Sequence, residues 1–277
     1  MTEAAEHDEM IRANARNWDE RVAVHMASEF YDLAGLRDGA DRLAPFEYDE
    51  LGPLAGRSLV HLQCHIGTDT VCLARAGATA AGLDLSPESV AAARRIAADC
   101  GVEIRYEAGD VYDAADVFGG ERFDVVYTGK GALVWLPDLD RWARTVAALL
   151  RPGGLLYLVE FHPLLQALTY GPQPEEGLLL EYDYLPGRGA ERLDSPNTYT
   201  DGPHLSGHTV SYQWTHGLGT VVNGLTGAGL RIESLTEHDV LPWRRIPEMT
   251  PAGNGWWRLP GSRPRVPVLY SLRAVRD

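Results

Sequence analysis

Two carboxylates fall where a nucleoside could use them. Asp84 closes the apolar run over residues 79–84, and Asp110 lies in the loop Ala108-Gly109-Asp110-Val111 after the next run. A carboxylate at a strand end can accept two hydrogen bonds from a ribose diol. A second, one loop further on, can accept from an adenine amine while Val111 covers the ring face. Before Asp84 comes the turn Gln63-Cys64-His65-Ile66-Gly67. Dinucleotide-binding turns carry glycine where this chain has Gln63 and His65, because a pyrophosphate must approach the backbone closely. The turn therefore favours an adenosine ligand without phosphate.

Further chemistry clusters after the fourth and fifth apolar runs. Lys130 and Trp135 follow the fourth; Glu160 and His162 follow the fifth. All four belong to the edge of the sheet where ligands bind. Glu160 and His162 are the candidates to meet an acceptor, and a histidine base suits a hydroxyl or phenol near neutral pH. Cys64 reads as a small buried hydrophobe, since no basic neighbour would lower its pKa. Asp201, His204 and His208 could suggest a metal, but their spacing matches no compact zinc pattern and none is expected.

The elements that must position these groups can be read from periodicity and punctuation. Residues 1–10 read as a disordered tail. Residues 11–37 read as helical, with Trp18, Val22, Met26, Phe30 and Leu33 at spacings of three and four. Trp18, Arg21, His25 and Tyr31 lie on that segment. Strands are expected at 59–62, 79–84, 103–107, 123–128 and 155–161, and helices at 68–76, 86–100 and 138–150. Ser86 reads as an N-cap with Pro87 at the first helical position. The turn Arg151-Pro152-Gly153-Gly154 closes the third of these helices. Alternation of strands and helices over this stretch implies an α/β, doubly wound, mostly parallel sheet. Residues 163–214 break the pattern, and so long an irregular stretch reads as a lid or binding loop. Its aromatics, Tyr212 and Trp214 among them, suit the wall of an acceptor pocket. A helix over 218–228 and strands near 231–235 and 268–274 complete the chain. The units are then a tail and helical lid (1–45), a ligand-binding core (46–162), an acceptor-binding insertion (163–214) and a completion of the sheet (215–277).

Composition sets the outer limits. The chain has 277 residues, enough for one large α/β domain with an insertion. Its net charge of -14 argues against general affinity for nucleic acid or an anionic membrane. Three cysteines without a CxxC pair fit a reducing compartment, and no signal peptide or membrane-length apolar run is visible. A cytoplasmic location is expected, as a monomer or homodimer.

Taken together, LVHLQCHIG (59–67), GLDLSPESV (82–90), AGDV (108–111), FDVVYTGKGALVWLPD (123–138) and LLRPGGLLYLVE (149–160) resemble the class I S-adenosylmethionine-dependent methyltransferases. They cover roughly the central third of the chain. The resemblance implies a seven-stranded Rossmann-like sheet under an N-terminal helical lid, with an insertion after the fifth strand. It implies S-adenosylmethionine as cofactor and methyl transfer to O, N or C of a small molecule. It places cofactor contacts at Gln63, His65, Gly67, Asp84, Leu85, Asp110, Val111, Thr128 and Gly129. Acceptor contacts would fall at Trp18, Tyr31, Lys130, Trp135, Tyr212 and Trp214. The family's first motif begins with an acid, and here His61 stands in its place. A nicotinamide-dependent oxidoreductase and a non-catalytic S-adenosylmethionine-binding module are the rival readings.

Overall fold

The computed structural model describes residues 3–170, 177–253 and 255–277. It opens with a long helix, α1 (Glu3–Ala27). The tail expected over residues 1–10 is thus helical from Glu3 onward, and residues 1–2 lie outside the described part. The helix expected over 11–37 is broken. After Ser28 a single turn, Glu29–Tyr31, leads to Asp32, whose φ of 41° is left-handed. A left-handed residue cannot continue a right-handed helix, and Asp32 instead caps α2 (Leu33–Arg37), accepting from the Gly35 N–H at 3.0 Å. Pro45 then starts α3 (Pro45–Leu51), a helix the periodicity did not reveal, with Glu47 accepting from the Ala44 N–H at 2.9 Å.

The central stretch alternates as expected: β1 (Ser58–Leu62), α4 (Thr68–Arg75), β2 (Thr79–Asp84), α5 (Pro87–Asp99), β3 (Arg105–Ala108), a short α6 (Ala114–Val117), β4 (Phe123–Thr128), α7 (Leu139–Leu149) and β5 (Leu150–Phe161). Ser86 caps α5 by accepting from the Ser89 N–H at 2.9 Å, and Asp138 caps α7 by accepting from the Arg141 N–H at 2.8 Å. The Arg151–Gly154 turn is an irregularity inside β5, where the pairing with β4 shifts register and Gly153 takes a φ of 75°.

The segment 163–214 carries a short helix, α8 (Pro163–Ala167), and two small ladders, β6 (Leu168–Tyr170) with β7 (Leu178–Leu180) and β8 (Glu191–Asp194) with β9 (Val210–Gln213). Then come α9 (Leu218–Gly227), β10 (Leu230–His238), a small sheet of β11 (Val240–Leu241), β12 (Thr250–Gly253) and β13 (Trp256–Arg258), and finally β14 (Leu269–Arg276).

Seven strands form the main sheet in the order β10-β14-β5-β4-β1-β2-β3. β3, β2, β1, β4 and β5 run parallel; β14 pairs antiparallel with both β5 and β10. Both faces are covered, as a parallel sheet requires. One face packs on α4 and α5 through Val71, Leu73, Val90 and Ile96; the other packs on α7 and α9 through Trp142, Val146, Leu149 and Leu225, all buried. Strand order reverses between β1 and β4, which fixes a crevice at their carboxyl ends. Among the described residues no helix is long and apolar enough to cross a membrane.

Helix α1 is tied on two sides. Asp19 Oδ1 accepts from the Ser86 hydroxyl at 2.6 Å, joining α1 to the start of α5. Toward the insertion, Asn14 exchanges hydrogen bonds with the Tyr212 backbone at 2.7 and 2.8 Å, and Glu20 accepts from the Gly207 and His208 N–H groups.

Candidate active site

A cavity of about 530 Å³ opens at the crevice between β1 and β4. That size is ordinary for a small-molecule site. Its floor is the turn after β1. Gln63 and His65 hold φ values of 57° and 48°, and Gly67 one of 76°. The backbone keeps the left-handed path of a glycine turn although two of its three positions carry side chains. At Gly67 no substitute fits, because an added Cβ would stand 2.4 Å from the Tyr106 hydroxyl.

Asp84 and Asp110 both line the cavity. Asp84 accepts from the His65 N–H at 2.7 Å and from the Ser86 N–H at 3.0 Å, so it fixes the turn while facing the cavity. Burial pushes its pKa up to about 6 against the pull of those two amides. Asp110 accepts from the Tyr112 N–H at 3.0 Å, and burial raises its pKa as well.

His61 lies in the cavity where the sequence pattern called for an acid. Its Nδ1 is 2.8 Å from Thr70 Oγ1 and its ring meets Tyr127 edge-on. Burial lowers its pKa to about 4, so the ring is neutral at pH 7. A carboxylate is nevertheless present at this end: Asp69, in the first turn of α4, lines the cavity. Lys130 Nζ bridges it at 3.2 Å to Glu47 at 3.0 Å. Burial is the largest single influence on Asp69 and works against its charge, but Lys130, His61 and Arg42 together outweigh it and hold the pKa below the ordinary value.

The roof comes from α1 and the insertion. Ile11, Asn14, Trp18 and Arg21 line the cavity from α1, and Tyr199 reaches in from the insertion. Tyr31 and Tyr199 share a hydrogen bond of 2.5 Å between their hydroxyls. Trp18 packs edge-on against Trp135 and His65, with centroids 5.1 and 4.9 Å apart. His25 Nδ1 is 2.8 Å from His65 Nε2.

Of the residues singled out from sequence, Gln63, His65, Asp84, Leu85, Asp110, Val111, Gly129, Trp18, Tyr31, Lys130 and Trp135 meet at this cavity. Gly67 and Thr128 stand behind it: Gly67 against Tyr106, and Thr128 fully buried with its hydroxyl unpartnered among the described residues. Tyr212 and Trp214 also miss the cavity. Their neighbours Ser211 and Gln213 line it instead, because side chains alternate along β9.

Glu160 and His162 do not reach the cavity either. The Glu160 carboxylate accepts from the Gly131, Ala132, Leu133 and Phe161 N–H groups at 2.5 to 2.9 Å. It is a clamp for the loop after β4, and burial raises its pKa to about 7 despite those bonds. His162 accepts from the Leu164 N–H at 3.1 Å through Nδ1 and meets Glu237 at 2.9 Å through Nε2. Both ring nitrogens are engaged, and the residue caps α8. Asp201 is likewise structural, accepting from the Glu29 and Phe30 N–H groups. Sequence reasoning passed over Asp69 and Arg42 in the cavity wall. Asp69 had a signal in the Gly-Thr-Asp opening of α4; Arg42 had none.

A family model described as a methyltransferase domain matches residues 60–154. A ubiquinone biosynthesis O-methyltransferase of Methylobacterium nodulans is 32% identical over 204 residues, which is 72% of this chain and 79% of the relative. A protein of the same name from Methylobacterium sp. strain 4-46 is 35% identical over 150 residues, 53% of this chain and 58% of the relative. Against several further relatives of that name the aligned part is also little more than half of the relative's length. Among solved structures, an S-adenosylmethionine-dependent methyltransferase of Mesorhizobium loti shares the fold, with a TM-score of 0.58 and 24% identity over 87% of this chain and 100% of that one. The chain belongs to the S-adenosylmethionine-dependent methyltransferases, the family its sequence motifs resemble, and S-adenosylmethionine is the cofactor.

Proposed function

We propose that the protein moves a methyl group from S-adenosylmethionine to an oxygen or nitrogen of a small molecule. The observation that carries this reading is the single cavity wall that joins Asp84, Asp110, the 63–67 turn and Gly129 beneath an aromatic roof. Asp84 would hold the ribose hydroxyls and Asp110 the adenine amine, with Leu85 and Val111 against the nucleoside. Gln63 Oε1 is a buried acceptor without a donor among the described residues, and the cofactor's ammonium brings donors. Asp69 supplies negative charge at the end where His61 has none.

When bound, the cofactor supplies an electrophilic methyl group on a sulfonium sulfur. The work left to the protein is alignment and exclusion of water. Trp18, Trp135 and Tyr199 exclude water; Gly129 leaves the close approach open. Among the described residues no histidine at the cavity is basic enough to serve as a general base near neutrality. His25 and His61 have pKa values of about 3 and about 4, lowered by burial, and burial also holds that of His65 well below its ordinary value. Burial pushes the Tyr199 phenol up to about 12. The acceptor atom is therefore one that ionises readily or is already neutral and nucleophilic, such as a phenol or a free amine. The relatives named as O-methyltransferases support the first of these.

Calorimetry with S-adenosylmethionine and with NAD tests the assignment, followed by incubation with methyl-labelled cofactor and a panel of phenols and amines. Tighter binding of NAD would overturn it in favour of an oxidoreductase. Cofactor binding without label transfer to any acceptor would favour a binding module.

A further inference from the structure

Arg21 lines the cavity from α1 and is only 9% exposed. Its Nε donates to Asn17 Oδ1 at 2.7 Å. No carboxylate among the described residues lies within ion-pair distance of its guanidinium. Burial disfavours its charge, and the titratable groups that act on it are the phenols of Tyr199 and Tyr31. The guanidinium lies 4.9 Å from the Trp18 ring and 5.4 Å from that of Trp135, which offsets part of the burial cost but consumes none of its forked N–H donors.

Two other cations of the wall have countercharges. Lys130 is bound to Glu47 and Asp69, and Arg42 acts on Asp69 at the His61 end. Arg245 also lines the wall without a carboxylate partner among the described residues, but it is exposed and keeps its water where Arg21 is buried. Neutral His25 and His65 neither add charge nor remove it. A buried cation left without an anion is costly, and a cofactor carrying a sulfonium would add a second positive charge to the same cavity. Both charges are answered if the remaining ligand is an anion. A single planar guanidinium matches a carboxylate in charge and geometry better than a dianionic phosphate.

We propose that Arg21 seats a carboxylate of the methyl acceptor, which makes the acceptor a small aromatic carboxylic acid. This rests on the methyltransferase reading above. The aromatic part follows from the walls around the guanidinium, Trp18, Trp135 and Tyr199. The cofactor's own carboxylate would fall to Arg42, which lines the cavity together with the oppositely charged Asp69.

The test uses the full chain saturated with S-adenosylhomocysteine and titrated calorimetrically with benzoate and with benzamide, its uncharged isostere. Wild type should prefer benzoate by ~10-fold or more. Arg21→Met should lose that preference while its affinity for S-adenosylhomocysteine stays within about 3-fold of wild type. Arg21→Lys should keep part of the preference, and it decides the matter if the methionine variant does not fold. Equal binding of acid and amide by wild type overturns the proposal. So does a loss of S-adenosylhomocysteine affinity in Arg21→Met with the preference for benzoate intact, which would assign Arg21 to the cofactor. Failure of wild type to bind S-adenosylhomocysteine overturns the methyltransferase reading itself, and this proposal with it.

Discussion

His25 Nδ1 and His65 Nε2 stand 2.8 Å apart, one from the lid and one from the turn beneath it. One ring donates and the other accepts, so a second proton on the pair would set two donors face to face. Burial is the main reason neither ring protonates near neutrality, and the Arg21 charge adds to it.

That pair makes stability pH-dependent. The folded pKa values of His25, His61 and His65 all lie below the ordinary 6.5. The unfolded chain takes up protons that the folded one refuses, so stability present above pH 6.5 is lost as pH falls through and below it. Asp84 and Glu160 act in the opposite sense: burial raises their pKa values to about 6 and about 7, so their share is regained on acidification. Burial also lowers the pKa values of His162, His216 and His238 and raises those of Glu47 and Asp110, so six rings stand against four carboxylates and the balance is a net loss. The melting temperature should fall between pH 7 and pH 5, and His25→Asn should flatten the slope. An unchanged melting temperature across that range would refute the account.

Cofactor affinity should weaken on acidification for a separate reason. On the proposed assignment an ionised Asp84 would accept from both ribose hydroxyls, and a protonated one would compete as a donor. Binding of S-adenosylhomocysteine should therefore decline as pH drops through about 6, the value to which burial raises Asp84. Asp84→Ala should abolish measurable binding, and wild-type affinity in that variant would refute the assignment.

Glu160→Ala strips the acceptor from buried N–H groups of Gly131, Ala132 and Leu133. Each orphaned donor costs about 1–3 kcal/mol, so a loss of ~3 kcal/mol or more in denaturant unfolding is expected. His162→Ala removes the cap of α8, the contact to Glu237 and the buried ring packed edge-on against Tyr270, at about 1–3 kcal/mol. Affinity for S-adenosylhomocysteine should survive that change, which separates His162 from the site.

Gln63 offers a direct test of backbone strain. Gln63→Ala and Gln63→Gly both remove the bond from Nε2 to the Ala132 carbonyl, but only alanine keeps a Cβ at φ 57°. The glycine variant should be more stable than the alanine one by about 1 kcal/mol, read from urea midpoints. Equal midpoints would mean the turn relaxes once the side chain is gone.

Asp84, Asp110 and the Ser86 cap were legible because each depends on its neighbours in sequence: an apolar run that ends, a loop that turns, a helix that starts. Trp18 and Tyr31 were placed at the site by the family resemblance alone; the apolar stripe ran through Trp18, Val22, Met26, Phe30 and Leu33 and spoke only of packing. Tyr199 was visible as an aromatic in the insertion, but its bond to Tyr31 spans 168 residues and leaves no local trace. Glu160 shows the opposite failure. Its residue type and sheet edge suggested chemistry, yet its role is set by amides some thirty positions earlier, whose direction depends on the turn at Gly131. The break at Asp32 escaped because an apolar spacing of three and four persists across it, and periodicity does not register a single left-handed residue. Tyr212 and Trp214 were expected at the acceptor wall from a segment read as irregular; strand β9 was not foreseen, and its alternation turns Ser211 and Gln213 to the cavity instead.

The lid helix is bonded to α5 through Asp19 and to the insertion through Asn14 and Glu20. A displacement of this helix would therefore disturb the 63–67 side of the cavity and the insertion side together. On the proposed assignment this predicts that the donor enters first and that the seat for the second reactant forms once the helix has settled over it. Release would run in reverse, with the methylated product leaving before the spent nucleoside. Initial-rate kinetics would record this as a compulsory order, with S-adenosylhomocysteine competing against the donor alone.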